Sequence, residues 1–492
     1  MAGNLYHALL RAAAGAGDRL FLDTGDARSI AYSELDRRVA AVASALLAAG
    51  IKPGDRVAAQ VEKSPEAVLL YLASLRTGAI FLPLNSAYTT AEIKGFVDDS
   101  EPALLVCDPK DEAACQGLAP ALLTLGADGG GSLMAAATSD APAVADRDAE
   151  DLAAILYTSG TTGRSKGAMI SHRALGENAR ALVDLWRWTT DDILAHALPI
   201  NHVHGLFVGL HLPLLTGSTI RFLPRFDADA VIAALDGATA MMGVPTFYTR
   251  LLDSPGFTRE LAGNMRIFIS GSAPLLPQTF AAFAERTGHA ILERYGMTEA
   301  GMIASNPYDG ERLAGTVGYP LPETEARIGG GGAGPGVLEI RGPGLFSGYW
   351  RMPEKTAEEH TADGWFITGD VATIAEDGRI SIVGRAKDLI IAGGYNIYPR
   401  EIELLIDAVP GVAESAVIGV PHPDLGEAVV AVVTTQPGAA LSEESVRDAI
   451  APSLARFKQP RRVLIVPSLP RNAMGKVEKA RLRAEHAALF RD

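Results

Sequence analysis

The chain has 492 residues, 48% of them hydrophobic and 6% aromatic, with a net charge of −14 and a pI of about 5.3. An acidic balance of this kind excludes non-specific nucleic-acid binding, which needs a basic face. No run of about 18 apolar residues is present to span a membrane, and the two cysteines, Cys107 and Cys115, are too few for a disulfide framework or a zinc site. The first twenty residues lack the basic start and apolar core of a signal peptide, so the expected location is the cytoplasm, where thiols stay reduced.

At roughly 150 residues per domain the length allows about three units. From the N-terminus, short apolar segments (56–61 and 103–106) alternate with segments carrying apolar residues at helical spacing (32–49 and 64–77). This alternation predicts α/β architecture with parallel or mixed sheets covered by helices. Residues 126–148, rich in Gly, Ala, Ser and Asp, read as a long connection before a strand at 153–157. Beyond about residue 310 the turns become glycine-rich. Strands are expected at 337–340, 372–374 and 380–383, the last two joined through Asp377-Gly378, a hairpin signal. After Gly384-Arg385 the pattern changes again, to a helix at 402–409, strands at 416–420 and 428–434, a helix at 443–454 and a strand at 463–466. These last 105 or so residues are enough for a small α+β domain.

Five segments carry chemistry. Residues 157–167 read Tyr-Thr-Ser-Gly-Thr-Thr-Gly-Arg-Ser-Lys-Gly, after an apolar strand and before a helix-like stretch. Glycines let backbone N–H groups converge, and hydroxyls and Lys166 add donors, so the loop suits a polyphosphate. It is not a Walker A loop, because Lys166 is followed by Gly167 rather than Ser or Thr. Residues 293–299 read Glu-Arg-Tyr-Gly-Met-Thr-Glu. A carboxylate such as Glu299 beside a phosphate loop is suited to Mg²⁺, which takes one or two carboxylates plus phosphate oxygens. Residues 365–370, Trp-Phe-Ile-Thr-Gly-Asp, place Asp370 where a carboxylate after a strand can accept both ribose hydroxyls. Gly384-Arg385-Ala386-Lys387-Asp388 and the segment 470–476, Pro-Arg-Asn-Ala-Met-Gly-Lys, complete the set.

In this order the five blocks resemble the adenylate-forming superfamily of acyl-CoA synthetases, peptide-synthetase adenylation domains and beetle luciferases, over essentially the whole chain. The resemblance implies a large N-terminal domain (1–386) with a small β-rich subdomain, and a mobile C-terminal domain (387–492) that rotates about a hinge at Lys387. It implies an ATP-dependent acid–CoA ligase that uses ATP, Mg²⁺ and coenzyme A. By that resemblance Thr158, Ser159, Gly160, Thr161, Thr162, Gly163 and Lys166 hold the ATP phosphates. Gly271, Ser272 and Ala273, with Glu293, Arg294 and Tyr295, flank the adenine, and Thr298 meets the α-phosphate. Glu299, with Thr158, binds Mg²⁺. Asp370 and Arg385 hold the ribose, and Lys476 bridges acid and nucleotide. Gly393, Gly394 and Tyr395 line the pantetheine channel in the second half-reaction, and Lys458, in the basic segment 456–462, is a candidate contact for the CoA phosphates.

The acid is read from the segment 241–251, Met-Met-Gly-Val-Pro-Thr-Phe-Tyr-Thr-Arg-Leu. An apolar strand is followed by Pro245 in the first turn of a helix, which puts Arg250 one to two turns along it. A guanidinium there offers a bidentate match to a second carboxylate. Residues 199–206, 243–250, 270–275, 293–299 with Met302, 305–310 and 470–476 resemble the malonyl-CoA synthetase branch. In that branch the residues matching Arg250 and Ser272 contact the carboxylate, and His204 sits near the acyl–CoA boundary. The family often has an aromatic where Asn201 stands, and the branch commonly has Thr where Ala300 stands and Asn where Ile303 stands. The expected substrate is a small dicarboxylic acid, malonate first and methylmalonate also. The alternatives are a short- or medium-chain monocarboxylate ligase, a domain loading a carrier-protein thiol, and a silent acyl-nucleotide binder; a silent relative is expected to lose Lys476 or Glu299. Lys476 is also a candidate for a lysine acetyltransferase, since acetylation removes the charge its role requires.

Overall fold

The computed structural model describes residues 3–158, 165–331, 334–393, 395–472 and 476–490. It is an α/β protein of two compact units, Met1–Glu325 with Arg341–Gly364, and Ala326–Ile340 with Trp365–Asp492.

The first unit is built on two sheets. The six-stranded sheet runs Ala121–Thr124, Leu104–Cys107, Arg56–Gln60, Ile80–Pro83, Leu152–Thr158, Lys166–Ser171. All its neighbours are parallel except the last pair. The nine-stranded sheet has a parallel centre (Leu292–Met297, Ile267–Ser270, Ala240–Gly243, Ile193–His196, Thr219–Phe222, Leu20–Asp23) and antiparallel edges. Parallel strands need helical crossovers that cover the sheet faces, as the alternating sequence predicts.

The helix Pro65–Thr77 shows how sequence and packing divide the work. Ser64 caps it by accepting from the Ala67 N–H at 3.1 Å, and Pro65 takes the first helical position. Every residue of it is buried, including Glu66, Ser74 and Arg76. The buried Arg76 guanidinium donates to Asp36 at 2.5 Å and to the Pro142 carbonyl at 2.7 Å, so its charge and donors are satisfied.

Two expectations are corrected. The connection 126–148 carries a short helix, Ser132–Ala135. The loop after Thr158 leads not to a helix but back along the sheet. Leu152–Thr158 and Lys166–Ser171 form an antiparallel pair with Thr158 opposite Lys166, and the helix His172–Leu185 begins one strand later. The cause is tertiary. Met169 accepts from Ser347 N–H at 2.7 Å and donates to the Gly348 carbonyl at 3.0 Å, so the second strand is paired along both edges.

The second unit holds a four-stranded sheet (Glu325–Ile328, Gly336–Arg341, Phe366–Ile374, Ile380–Arg385) and a five-stranded one. The expected hairpin is present, with Gly378 at φ +89°. Packing therefore groups the small β-rich segment with the C-terminal residues, upstream of the functional boundary expected at Lys387. In the five-stranded sheet the long pair Val412–His422 and Gly426–Thr435 is packed on both faces. Ile402 and Ile406 of the helix Pro399–Asp407 join Val417, Val429, Ala431 and Val433 on one face; Leu469 and Leu482 join Ala416, Ile418 and Val420 on the other.

Asp407, at the end of that helix, is 6% exposed and accepts from Ser415 Oγ at 2.7 Å. Burial pushes its carboxyl up to about 6, against the pull of the Ser415 hydroxyl and Arg400. A carboxyl raised above its unfolded value favours the fold while protonated, and that contribution is lost as pH rises through about 6. Asp407→Asn should therefore raise stability at pH 7.5 by on the order of 1–3 kcal/mol, and flatten its decline between pH 4 and 7. Thermal melts of both proteins across that range check it; an unchanged slope would contradict it.

Candidate active site

The antiparallel pair that ends in Thr158 and begins again at Lys166 delivers both side chains to one buried carboxylate. Glu299 lies in the turn between Leu292–Met297 and Gly301–Ser305 and is 5% exposed. Its Oε1 accepts from Tyr349 Oη at 3.0 Å and lies 3.4 Å from Thr158 Oγ1. Glu359 also lies within hydrogen-bond reach of Tyr349 Oη, so the two carboxylates compete for its single proton; Lys166 Nζ donates to Tyr349 Oη at 3.0 Å and to Glu359 Oε1 at 2.8 Å and lies over the Tyr349 ring. Burial raises the Glu299 carboxyl, and the Tyr349 hydroxyl and Lys166 only partly offset it. Burial also lifts Glu359, but hydrogen bonds from Lys166 and Tyr349 outweigh it and hold that carboxyl below its usual range. A hydroxyl and a buried carboxylate are hard oxygen donors that fit Mg²⁺. Among the described residues no cluster of three or more His, Cys, Asp or Glu could hold a metal unaided. Such a cation would depend on ligand oxygens for the rest of its shell. Ser159, Gly160, Thr161, Thr162 and Gly163 lie outside the described residues.

A second group collects at the ends of three neighbouring strands. Gly271 follows Ile267–Ser270, and a Cβ there would lie 2.4 Å from the Arg294 guanidinium carbon, so only glycine admits that side chain. Ser272 takes the left-handed conformation at φ +69°, with its Oγ 3.4 Å from Arg294 Nη2. Arg294 is 3% exposed; burial pushes its guanidinium down to about 9, and Nε has no acceptor among the described residues. Glu293 is likewise buried and accepts from the Leu275 N–H at 3.0 Å. Tyr295 and Met302 sit on the antiparallel pair, where Met302 exchanges backbone bonds with the Asn178 side chain at 2.8 and 3.1 Å. Ala273 and Thr298 are half-buried in the turns beside these strands.

His204 opens the π-helical segment His204–Val208, a rare geometry that recurs at functional sites. It is 4% exposed, and neither ring nitrogen has a partner among the described residues. Burial, then the Arg294 charge, holds it far below its ordinary value, so the ring is neutral. The segment is pinned from behind. His196 Nε2 donates to the Gly205 carbonyl at 2.9 Å, which fixes the tautomer and leaves Nδ1 to accept from Lys63 Nζ at 2.8 Å. Burial pushes the Lys63 amine well down.

Arg250 is solvent-exposed in the last turn of the helix Pro245–Asp253. Its guanidinium lies 5.9 Å from the Phe226 ring, which stacks on Phe247 at 4.0 Å. Those two rings line a cavity of about 300 Å³ together with Lys63, Asn201, Arg225 and Leu206. Lys63, Tyr349 and Glu359 were not singled out from the sequence. Lys63 follows a strand at its C-terminal end, where α/β proteins place ligands, so a signal existed; Tyr349 and Glu359 meet Glu299 only through the fold.

In the second unit, Asp370 lies within the strand Phe366–Ile374 rather than after it, 3% exposed. It faces Arg385 across the hairpin, with Nε to Oδ1 at 2.7 Å. Lys387 is in the short 3₁₀ turn Ala386–Asp388. Gly393 has φ +59°, and the exposed Tyr395 stacks on Phe457 at 4.4 Å. Lys458 is paired with Glu401 at 2.7 Å, which occupies the charge expected for CoA phosphates. Lys476 is exposed; Gly394 and Gly475 lie outside the described residues.

The AMP-binding enzyme family pattern matches residues 9–350, and that of the AMP-binding enzyme C-terminal domain matches 401–476. The malonate–CoA ligase of Arabidopsis thaliana is 36% identical over 479 residues, covering 88% of this chain and 78% of the relative. The crystal structure of ATP-bound MatB from Rhodopseudomonas palustris is 51% identical, covers 100% of both chains and superposes with a TM-score of 0.97. A malonyl-CoA ligase ternary product complex with methylmalonyl-CoA and AMP is 38% identical, covers 94% of this chain and 99% of that one, and has a TM-score of 0.69.

Among the described residues His204 makes no hydrogen bond that a substitution would break. His204→Leu should leave the melting temperature unchanged or higher while weakening ligand binding at this site. A loss of more than about 1 kcal/mol in a denaturation curve would instead mark it as a structural histidine.

Proposed function

The chain belongs to the AMP-binding enzyme family, and we propose that it joins malonate, and also methylmalonate, to coenzyme A through an acyl-adenylate, releasing AMP and pyrophosphate. The likeness across the whole chain to ATP-bound MatB supports the reaction, and the likeness to the complex holding methylmalonyl-CoA supports the wider substrate range. One observation carries the dicarboxylate: a buried guanidinium, Arg294, lies beside the Ser272 hydroxyl and the neutral His204, with a donor to spare. A buried, under-bonded cation is costly unless an anion joins it, and a second carboxylate does so. Arg294 thus serves the acid rather than the adenine. Arg250 lies at the edge of the adjoining cavity and steers or clamps the same charge.

The mechanism follows from poor leaving ability. Carboxylate oxygen cannot leave as hydroxide, so it is exchanged for AMP. In the first step the acid oxygen forms a bond to the α-phosphorus and the bond to pyrophosphate breaks. Two anions must approach, and cations must neutralise both. Lys476 does this between acid and α-phosphate, Lys166 and Thr158 with the glycine-rich loop hold the phosphates, and Thr298 orients the α-phosphate. Glu299, with Thr158, would hold Mg²⁺, which when bound would supply charge neutralisation on the phosphate oxygens. Asp370 and Arg385 hold the ribose, and Gly271, Ala273, Glu293 and Tyr295 frame the base. In the second step the CoA sulfur forms a bond to the adenylate carbonyl carbon, its proton passes to solvent and AMP leaves. Lys476 has no task there, and rotation about Lys387 brings Gly393, Gly394 and Tyr395 to the pantetheine arm while Met302 and His204 wall the acyl group. Lys458 would have to leave Glu401 to meet a CoA phosphate. The second reading, a short-chain monocarboxylate ligase, is disfavoured by Arg294.

Among the described residues no helix is long and apolar enough to cross a membrane. We place the protein in the cytoplasm, in keeping with its two buried free thiols. Exposed Lys476 is open to an acetyltransferase, and mass spectrometry of protein from native cells that never finds it modified would dismiss that.

Pyrophosphate release with a panel of acids, with and without CoA, tests the whole reading; malonate should lead. Lys476→Ala should abolish adenylate formation and spare thioester formation from pre-made malonyl-AMP. Arg294→Met and Arg250→Ala should each cut kcat/KM for malonate, Arg294→Met by roughly 100-fold or more, as for loss of a buried charge partner, with butyrate affected far less. Equal losses on both acids would remove the dicarboxylate assignment.

A further inference from the structure

The described residues on either side of Lys476 are heavily tied. Asn472 N–H donates to the Lys476 carbonyl at 2.9 Å, Lys476 N–H donates back to Asn472 Oδ1 at 3.0 Å, and Arg471 bridges Val477 in antiparallel fashion. Glu478 N–H closes the next rung on the Pro470 carbonyl at 2.9 Å. On either side the chain is anchored in one apolar cluster, by Leu469 before the turn and Leu482 of the helix Lys479–Glu485 after it, against the face of Val412–His422 that carries Ala416 and Ile418.

Two ion pairs sit between those anchors and the turn. Arg471 donates to Glu414, which lies on the same strand face as Ala416 and Ile418. Lys479 Nζ reaches Glu403 Oε1 at 2.5 Å, and that oxygen also accepts from the Val417 N–H at 2.9 Å. Glu403 is 6% exposed and belongs to the helix Pro399–Asp407 on the opposite face of the sheet. One pair thus grips the incoming strand of the turn and the other its exit, each from a different element. The Arg471–Glu414 pair is partly exposed and the Lys479–Glu403 pair largely buried; together they bracket residues 472–478, which points to placement of that turn.

We propose that Glu414 and Glu403 are positioning residues for Lys476: through Arg471 and Lys479 they hold the base of its turn so that the amine is presented in the adenylating geometry. This rests on the role given to Lys476 above. A long, flexible side chain at the base of a turn loses aim if that base rocks, and a misplacement on the order of 1 Å costs up to about 100-fold in rate. The thioester step does not use Lys476, so it should not sense the clamp, although the same domain supplies Gly393 and Tyr395 to it.

The experiment separates the half-reactions in the full-length enzyme. Pyrophosphate formation from malonate and ATP without CoA reports adenylation, and malonyl-CoA formation from synthetic malonyl-AMP and CoA reports transfer. Glu414→Gln and Glu403→Gln should each lower adenylation by roughly 10- to 100-fold and leave transfer unchanged, with no matching fall in melting temperature. The exchange Glu414→Arg with Arg471→Glu should restore adenylation. Parallel loss of both half-reactions would mark the pairs as structural and overturn the proposal, as would failure of the exchange to rescue. Lys476→Ala run alongside distinguishes the two levels. If it retains adenylation, the role of Lys476 falls and the clamp with it; if it loses adenylation while both Gln variants retain it, the clamp alone falls.

Discussion

The burial of one carboxylate, Glu299, governs the first unit. A charge that is 5% exposed needs partners, and the chain brings them from three distant stretches of sequence. Tyr349 supplies a hydroxyl, Thr158 a second, and Lys166 a nearby cation, itself shared with Glu359. The double pairing of Lys166–Ser171, to Leu152–Thr158 on one side and to Ser347 and Gly348 on the other, follows from the same requirement. It sets Thr158 and Lys166, at the two ends of the glycine-rich segment, on paired strands. The site therefore gains its precision from strands, which hold a side chain more tightly than loops do.

A different economy rules the pocket around Arg294 and His204. Arg294 and His204 are both buried with unused donor or acceptor capacity, which a stability argument alone would remove. Such groups persist where a ligand completes them. The glycine at 271 and the π-turn at 204 make room for that incompleteness, and the Lys63–His196–Gly205 chain keeps the turn from relaxing into it. In the second unit the sheet is covered on both faces, and its ion pairs lie at the base of the Lys476 turn rather than in its core.

Much of this was legible in the sequence. The alternating strands and helices, the hairpin at Asp377-Gly378, the helix opened by Pro245 and the five ordered blocks needed only local preferences and spacing, because a strand's period and a turn's φ requirement are properties of a few neighbouring residues. The blocks named Thr158, Lys166, Glu299, Asp370, Arg385 and Lys476, and the family they announce is the one the chain belongs to. What failed locally was the stretch after the glycine-rich block, which reads as helix-like whereas the chain first forms the strand Lys166–Ser171. The pairing that makes these residues a strand comes from Ser347 and Gly348, nearly 180 residues away, and no local pattern records it.

The sequence by itself determined the reaction class and named the candidate residues for the nucleotide, since a polyphosphate and a cation impose recognisable residue types at close spacing. Only the tertiary structure distinguishes the two candidate cations for the acid by their burial. Arg250 and Arg294 are equally visible as letters, but one is solvated on a helix and the other is sealed beneath Gly271 with Ser272 beside it. Burial sets how much a charge demands a counter-charge, and burial is a property of the whole fold.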